Sequence, residues 1–313
     1  MRALDRTACG TPRNCANNSD GMALIITLFV LAIITTLVIE FAYGVYVSTN
    51  ALYNWQSSQR LSYVDKSAVR FASWIISQNS IQLAYTYPGV IDIVRKKPVE
   101  SFKGDLAIRI ENEDIKFNLN SLVPPNGSVN RDQYNALVRM LKAINLDPAI
   151  ADRIIDWTGP GSGQGISGPG NKLKHAPFDS VDELLSVPGI SKEAYDKLFP
   201  YVTIYGSLNG VNGVININGA EVPVLMSLDG VDRDMAERVV QYRGNIPFQD
   251  VTDIVKVAGF ENMLGTSLMG HITVKGNFFR VVATATDGGI RKNLESVLDV
   301  SSGNPVVVYW KEL

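Results

Sequence analysis

The spacing of hydrophobic residues changes several times along the chain, and the first pattern is an uninterrupted apolar run. Met22 to Ile39 comprises 18 residues without a charge, inside the segment Asp20–Phe41. At about 1.5 Å per residue, a helix of this length spans roughly 27 Å, close to the hydrocarbon thickness of a bilayer. The pattern therefore predicts a transmembrane segment over residues 22–40.

The helical pattern continues beyond the apolar run in an amphipathic form. Apolar residues recur at mixed spacings of three and four as far as Trp74 and Ile75, and no proline occurs from Met22 to Tyr87. This predicts one continuous helix of about 60 residues, apolar in its first half and amphipathic in its second. The amphipathic half needs a surface to lie on, and we expect that surface to be the protein's own soluble domain.

Alternating patterns typical of strands occur both early and late in the chain. Asp105–Ile110 and Ile115–Asn120 alternate, and the Glu-Asn-Glu-Asp between them predicts a hairpin turn. After about Gly270 the strand pattern returns. The late runs are Phe278–Thr286, 295–301 and Pro305–Glu312, with a turn region at 287–289. We expect a late strand to pair with the early hairpin, which would make one antiparallel sheet interrupted in sequence by a helical insertion.

Helical periods fill the stretch between these strands. Residues 131–144 and 147–157 predict two helices, the second with Asp147 as N-cap and Pro148 at its first position. Farther on, three segments repeat one form, an apolar helix followed by a turn with glycine. They are residues 178–198, 221–243 and the start of a third at 247–260.

Length, charge and cysteine content narrow the class of protein. The chain has 313 residues and a formal net charge of −2. That length suits one large or two ordinary domains behind the anchor. The near-neutral charge argues against a dedicated nucleic-acid binder, which normally has a basic excess. Cys9 and Cys15 both precede the apolar run, so a chain cut after Gly21 keeps no cysteine, which fits an exported domain.

The residues around the apolar run predict its orientation. Arg2, Arg6 and Arg13 precede it against Asp5 and Asp20, a positive-inside signal. The segment therefore predicts a single pass with the N-terminus in the cytoplasm and the long C-terminal part outside it. No small-x-small cleavage site and no cysteine follow the run, so secretory-signal and lipoprotein cleavage are disfavoured.

A polar leader ending in glycine, an uncharged run and a long amphipathic helix together resemble a type IV pilin-like prepilin. The resemblance implies that residues 1–21 are a cytoplasmic leader peptide, that a prepilin peptidase cuts between Gly21 and Met22, and that the new amine is methylated. Glycine suits such a cut because it has no side chain to block access to the backbone.

One position departs from the usual prepilin pattern. Most members of the family have glutamate at the fifth mature position, which here is Ile26. A carboxylate inside a bilayer is costly unless it is paired, and a subunit with no neighbour above it has no use for one. The lack of this glutamate is typical of the type II secretion minor pseudopilin K (GspK) family, so Ile26 is our marker of a position at the filament tip.

The resemblance to GspK implies an α+β fold. Its long N-terminal helix would pack on a small antiparallel, pilin-like sheet, with a large inserted α-helical domain containing helix-hairpin-helix-like units. We accordingly predict a pilin-like domain in two parts, with the helical block between them. The predicted ranges are 41–123 and 271–313 for the pilin-like parts, 124–212 for the inserted domain and 213–270 for the helix-hairpin-helix-like segment.

The same resemblance implies a structural function rather than catalysis. The chain would be a minor pseudopilin of the type II (general) secretion system, at the tip of the periplasmic pseudopilus, where it initiates or caps the filament. The implied partners are other minor pseudopilins, the prepilin peptidase and the inner-membrane assembly platform. The implied location is the bacterial inner membrane, with the C-terminal domain in the periplasm.

The alternative is a membrane-anchored DNA-binding protein, because residues 216–260 also resemble the tandem helix-hairpin-helix of DNA-uptake proteins. In such modules, backbone N–H groups of the turn hold a phosphate at a helix N-terminus. Here residues 216–260 contain seven acidic and four basic residues, and residues 178–200 contain five and two, so each carries a net charge of −3. Acidic surfaces repel a phosphate backbone, so we expect a packing role and no nucleic-acid partner.

A glycine-rich loop at Thr158–Gly170 contains a G-x-G-x-x-G at Gly163, Gly165 and Gly168. It follows a predicted helix rather than a strand and runs into Pro169, and no Lys-Ser or Lys-Thr follows. The pattern therefore favours a flexible surface loop over a nucleotide site.

The remaining chemistry is limited to a candidate calcium site. In GspK-like proteins the corresponding loop is acidic and associated with calcium, a hard cation that prefers several oxygen ligands. Here Asp156 and the later Asp179 are the candidate ligands, while Thr158–Gly170 itself contains no Asp or Glu. His175 and His271 are far apart and have no cysteine partner, so no zinc pattern exists. We therefore expect no enzyme activity and no cofactor other than this candidate calcium.

Overall fold

The computed structural model describes residues 19–82, 85–95, 104–124, 127–159, 173–209, 212–263 and 266–312. Two compact units divide the chain, Met1–Ser57 and Ser58–Leu313. Cys9, Cys15, the predicted leader up to residue 18 and residues 160–170 of the predicted glycine-rich loop lie outside the described residues.

The predicted long helix is confirmed as a single element. Helix α1 covers Ser19–Gln82, 64 residues. Its most apolar 18-residue window has a mean hydropathy of 2.9 and is wholly exposed, so the helix is long and apolar enough to cross a membrane. The absence of proline from this stretch lets the backbone hydrogen bonds run without a break.

Five shorter helices follow α1 in the described part of the chain, and side chains cap the first turns of two of them as follows. In α2, for example, the side chain of Asn130 accepts hydrogen bonds from the backbone of Asp132 and Gln133 at the first turn. The helix predicted to start at Pro148 starts one residue later, with the Asp147 carboxylate accepting from Ala149 N at 3.0 Å. The bounds are Arg131–Ala143 (α2), Ala149–Thr158 (α3), Lys192–Leu198 (α4), Val222–Leu225 (α5) and Arg233–Asn245 (α6).

Eleven strands are present in the described residues. They are Val90–Arg95 (β1), Asp105–Asn112 (β2), Phe117–Asn118 (β3), Val202–Thr203 (β4), Leu208–Asn209 (β5), Asn212–Gly213 (β6), Ile215–Asn216 (β7), Ile272–Thr273 (β8), Phe278–Asp287 (β9), Ile290–Asp299 (β10) and Val306–Glu312 (β11). Five of them form one antiparallel sheet in the order β1-β2-β9-β10-β11. The pairing of β2 with β9 confirms that an early strand and a late strand share one sheet.

The predicted early hairpin is wrong in its second strand. The hairpin partner of β2 is the preceding strand β1, with Ile108 opposite Ile93, and not the run Ile115–Asn120. The Glu-Asn-Glu-Asp segment is not the predicted hairpin turn, because Glu113–Ile115 form a buried 3-10 turn that leads the chain out of the sheet.

The amphipathic part of α1 covers one face of this sheet, as predicted. Alternate residues of β9 face the helix, and the small Ala68 and Ala72 let the helix approach them closely. Leu61 packs near Ala285 at one end of the sheet. At the other end, Ile76 lies with Ile110 and Phe279.

The helical insert, residues 113–277, leaves the sheet after β2 and returns at β9. Asn112 and Phe279 are cross-strand partners, so the insert starts and finishes at the same end of the central strands β2 and β9. The last turns of α1 pack against this end of the sheet, and Leu61 packs against the other end.

Two structural repeats make up most of the insert. Strands β3 and β4 pair in parallel and close the first, and β7 and β8 pair in parallel and close the second. Phe178–Gly206 and Phe248–Gly276 align without a gap, including the positive φ of Gly189 (82°) and Gly259 (100°) at the same turn. We call residues 117–206 the first repeat and 215–276 the second repeat.

Candidate functional site

The junction between sheet and insert is built on a buried ion pair. The carboxylate of Glu113 is fully buried and accepts from Arg280 Nε at 2.8 Å and Nη2 at 3.2 Å. Thr203 of β4, near the end of the first repeat, donates a hydrogen bond to the same carboxylate. Burial alone would raise the pKa of Glu113, but the charges of Lys116 and Arg280 outweigh it and hold this pKa below its usual value.

Asp114 joins the two ends of the insert to each other. Its Oδ2 accepts from the backbone of Asn277 at 2.7 Å and of Phe278 at 2.9 Å, where the chain re-enters β9. Its Oδ1 accepts from the backbone of Ser207, where the first repeat ends. A single carboxylate thus holds the beginning of the insert, the end of the first repeat and the end of the insert.

Close backbone approach completes the junction. Asn112 is buried and donates through Nδ2 to Phe278 O at 2.9 Å and to Asp114 Oδ2 at 3.1 Å. A Cβ on Gly276 would lie 1.9 Å from Asn112 Nδ2, so only glycine fits there. Asn216 of the second repeat donates to Asn112 Oδ1 at 3.1 Å, so both repeats meet at the same point.

The first repeat also rests on the sheet face that α1 does not cover. Tyr205 and Tyr309 of β11 pack with ring centroids 6.1 Å apart, and Lys311 lies 3.9 Å from Asp182. Burial raises the pKa of Tyr205 to about 12, so this phenol stays neutral in the contact.

An asparagine holds each repeat together in the same way. Asn120 accepts from Phe178 N at 2.8 Å and donates to Phe178 O and to the carbonyl that follows β4. Asn218 repeats these bonds with Phe248, at 2.9 Å to its N, and with the carbonyl that follows β8. The sequence signal that could have found them is Asn-Leu-Asn at 118–120 against Asn-Ile-Asn at 216–218.

The hairpin turns leave little room for a phosphate. The amide of Gly259 donates to Glu261 Oε2 at 2.9 Å. At the first turn of α6, Asp232 accepts from Met235 N at 2.8 Å, and at α4 Ser191 accepts from Ala194 N at 3.2 Å. The protein's own side chains therefore occupy amides that a nucleic-acid phosphate would need. Two of these three side chains, Glu261 and Asp232, are carboxylates, which repel a phosphate.

Gly21, Met22 and Ile26 all lie within α1. The space around Gly21 is open, with no atom within 4 Å of a Cβ placed on it. Met22 and Ile26 are exposed, in keeping with the apolar character of the whole segment. Their predicted functions in processing and at the tip stay predictions.

The candidate calcium ligands are at the two sides of residues 160–172. Asp156 is partly buried near the end of α3, and Asp179 is exposed and paired with Lys174 Nζ at 2.8 Å. No group of three or more His, Cys, Asp or Glu side chains suited to a metal occurs in the part of the chain that the structure describes. Since residues 160–172 lie outside that part, the calcium prediction stays a prediction.

Both histidines take part in local contacts of the insert. His175 Nδ1 lies 2.6 Å from Gly159 O, and His271 Nδ1 lies 3.3 Å from Gln133 Nε2. These bonds link segments of the insert to one another, which fits a packing function for each ring.

Two known protein families match the insert. The family described as "Type II secretion system (T2SS), protein K" matches residues 115–207, and the "Helix-hairpin-helix motif" matches residues 211–273. The division between them falls where the first repeat ends and the second begins.

Relatives cover nearly the whole chain. The type II secretion system protein K of Pseudomonas aeruginosa is 26% identical over 322 aligned residues, which are 94% of this chain and 92% of that protein. The corresponding protein of Aeromonas hydrophila is 24% identical, over 92% of this chain and 95% of that protein. A chain of the GspK-GspI-GspJ complex from enterotoxigenic Escherichia coli has the same fold, with a TM-score of 0.67 and 18% identity, over 82% of this chain and 97% of that one.

A long apolar N-terminal helix, an antiparallel sheet on its later part and a helical insert between neighbouring strands define a pilin-like subunit with an α+β fold. The chain is similar to type II secretion system protein K over nearly its whole length and is a minor pseudopilin of the type II secretion system. The protein K family is one of structural subunits, and the DNA-uptake alternative is not favoured.

Proposed function

We propose that this minor pseudopilin occupies the tip of the pseudopilus, where it initiates the filament and caps it. The observation that carries the proposal is the position of the insert. It is attached at the end of the sheet next to the last turns of α1, the part of the helix farthest in sequence from the apolar segment. A bulky insert at that end would clash with a subunit added above.

Ile26 supports the same position. A subunit inside the filament would use a carboxylate there to offset the N-terminal amine of its neighbour, whereas an unpaired carboxylate in the bilayer is costly. An isoleucine removes that cost, which suits a subunit with no neighbour above it.

The partners we propose are other minor pseudopilins, bound through α1 and the pilin-like sheet. The similar GspK chain comes from a complex with GspI and GspJ, which supports partners of that kind. The prepilin peptidase and the inner-membrane assembly platform would act before assembly. We propose a single pass through the inner membrane, with the soluble part in the periplasm.

Shortening the insert to a tight turn is expected to lengthen pseudopili. Because Asn112 and Phe279 are cross-strand partners, a two-residue Asn-Gly hairpin can replace residues 113–278 without moving either strand. This deletion removes β3 and β4 together. Removing residues 124–207 instead would take β4 away and leave β3 without its partner. Filament length is measured by electron microscopy in cells that also overproduce the major subunit.

The comparison needs cells with the full-length chain and cells without the protein. Filaments longer than those of the full-length strain support capping. Filaments of unchanged length, from a variant that is membrane-bound and cleaved normally, would argue against it.

Replacing Gly21 with valine is expected to block processing. Valine adds a branched side chain beside the predicted cut in a place that is open in the structure, so the protease loses access to the backbone rather than the domain losing packing. Intact-mass spectrometry should show a methylated chain starting at Met22 for the natural protein and the uncut chain for the variant. Gly44→Val, at an equally open position of α1, is the matched control and should be cut normally.

A further inference from the structure

Asp65 is a carboxylate in an unusual place for its charge. It lies on the face of α1 that packs on the sheet, between Leu61 and Ala68, and is 1% exposed. Its Oδ1 has no hydrogen-bond partner among the described residues. A buried polar atom without a partner is costly, and a buried unpaired charge is more so. This position is well beyond the apolar segment 22–40, against the soluble domain.

The neighbouring residues of α1 hold the end of the last strand. Ser62 Oγ donates to Glu312 Oε2 at 3.0 Å, and Lys66 Nζ lies 2.9 Å from Glu312 Oε1. Ser62 and Lys66 lie on either side of Asp65 in the sequence, so Asp65 lies beside the contact that attaches β11 to α1. Strand β11 is an edge strand and has only β10 as a partner in the sheet.

The charges facing Asp65 are unevenly balanced. Glu312 of β11 is negative, Lys292 of β10 is positive, and Lys66 on α1 itself is already used by Glu312. Strand β9 presents alanines at this end, and Lys311 of β11 points to the opposite face of the sheet. Arg60 lies 3.9 Å from Asp287 and is engaged there.

We propose that Asp65 is a proton-controlled latch between α1 and β11, closed when its carboxyl is neutral and loosened when it ionises. In the neutral form the buried side chain adds no charge beside Glu312. In the ionised form a second negative charge competes for Lys66 and Lys292, and the hold of α1 on the end of β11 weakens.

The sign of the pH dependence follows from the acid's environment. Burial first, and then the charge of Glu312, raise the pKa of Asp65 to about 7, with Lys292 acting in the opposite direction. A raised pKa means that the closed form binds the proton more tightly than the open form. The stabilisation by the latch is therefore fully present below the ordinary aspartate pKa of 3.8 and is lost as the pH rises through about 7.

Hydrogen exchange on the full-length chain in detergent micelles tests the latch. Peptides covering β11 are followed by mass spectrometry between pH 5.5 and 8, with exchange corrected for the intrinsic effect of pH. We expect the opening equilibrium of β11 to rise by about tenfold or more across this range, because each unit of pKa difference between closed and open forms is a factor of ten. Peptides from α2 should show no such change.

Asp65→Asn keeps the shape of the side chain and removes its titration, so exchange in β11 should become independent of pH. Glu312→Gln should move the midpoint to lower pH because it removes the neighbouring negative charge. Asp92→Asn, on the opposite edge strand, is the control and should behave as the natural chain. A pH-independent β11 in the natural protein, or an unchanged response in Asp65→Asn, would overturn the proposal.

Discussion

Replacing Glu113 with alanine is expected to lower the free energy of unfolding by about 3–5 kcal/mol, because it leaves Arg280 largely buried without its main partner. Glu295 also pairs with Arg280, but it cannot supply the two bonds that Glu113 makes. The measurement is the urea-unfolding midpoint of the full-length chain in detergent.

A double replacement separates the ion pair from its neighbours. Glu113→Leu with Arg280→Met removes both charges and should recover much of the stability lost in the single variants. Glu237→Ala on the exposed side of α6 is the matched control and should change stability by less than about 0.5 kcal/mol. A single Glu113 variant as stable as this control would show that the pair contributes nothing.

We expect acid to destabilise the junction through the same Glu113 carboxylate. The pKa of Glu113 is held below its unfolded value, so its contribution is fully present above that unfolded pKa. The contribution is lost as the pH falls through the lower, folded pKa. Asp65 acts in the opposite sense, because its contribution is lost as the pH rises through its raised folded pKa of about 7.

Replacing Asp114 with asparagine is expected to lower the free energy of unfolding by roughly 1–3 kcal/mol for each buried donor that loses its acceptor. An amide can accept through one atom only, so its NH₂ group would face N–H donors of Asn277 and Phe278 or of Ser207. Each buried donor left without an acceptor costs roughly 1–3 kcal/mol.

The Asp114 variant has a local signature besides its stability. Exchange should rise in residues 274–279, where the insert returns to the sheet, before it rises in the core of β9. Asp132→Asn, in the exposed first turn of α2, should leave this region unchanged. Equal protection of residues 274–279 in both variants would show that Asp114 does not hold the insert.

Some errors of the sequence-based predictions have a common cause. The composition of Glu-Asn-Glu-Asp predicts a hairpin turn, yet the segment forms no hairpin and two of its acids are buried. Their partners, Arg280 and the amides of residues 277 and 278, lie more than 160 positions later. Local propensity carries no information on partners at such a separation. Strand β1 is not predicted from the sequence for a related reason. It is recognised as a strand by its pairing with β2, which forms only in the folded chain.

The sequence alone shows the resemblance to helix-hairpin-helix modules. Only the structure shows which groups the hairpins contact. Acidic composition already disfavoured DNA, and the structure adds the reason at the atomic level, because Glu261 and Asp232 cap turn amides. Asn120 and Asn218 make equivalent bonds to Phe178 and Phe248, so the hairpins belong to two units that are closed in the same way. Packing is therefore the function that these hairpins support here.

The sequence by itself determined the long apolar helix, the helical block within a sheet, the acidic character of the hairpins and the resemblance to GspK. These features depend on periodicity, composition and short motifs, all of which act over a few neighbouring residues. The tertiary structure alone decided the partner of β2, the contacts of Glu113 and Asp114, the end of the sheet where the insert is attached and the burial of Asp65. Each of these depends on groups that are distant in sequence and meet only when the chain is folded.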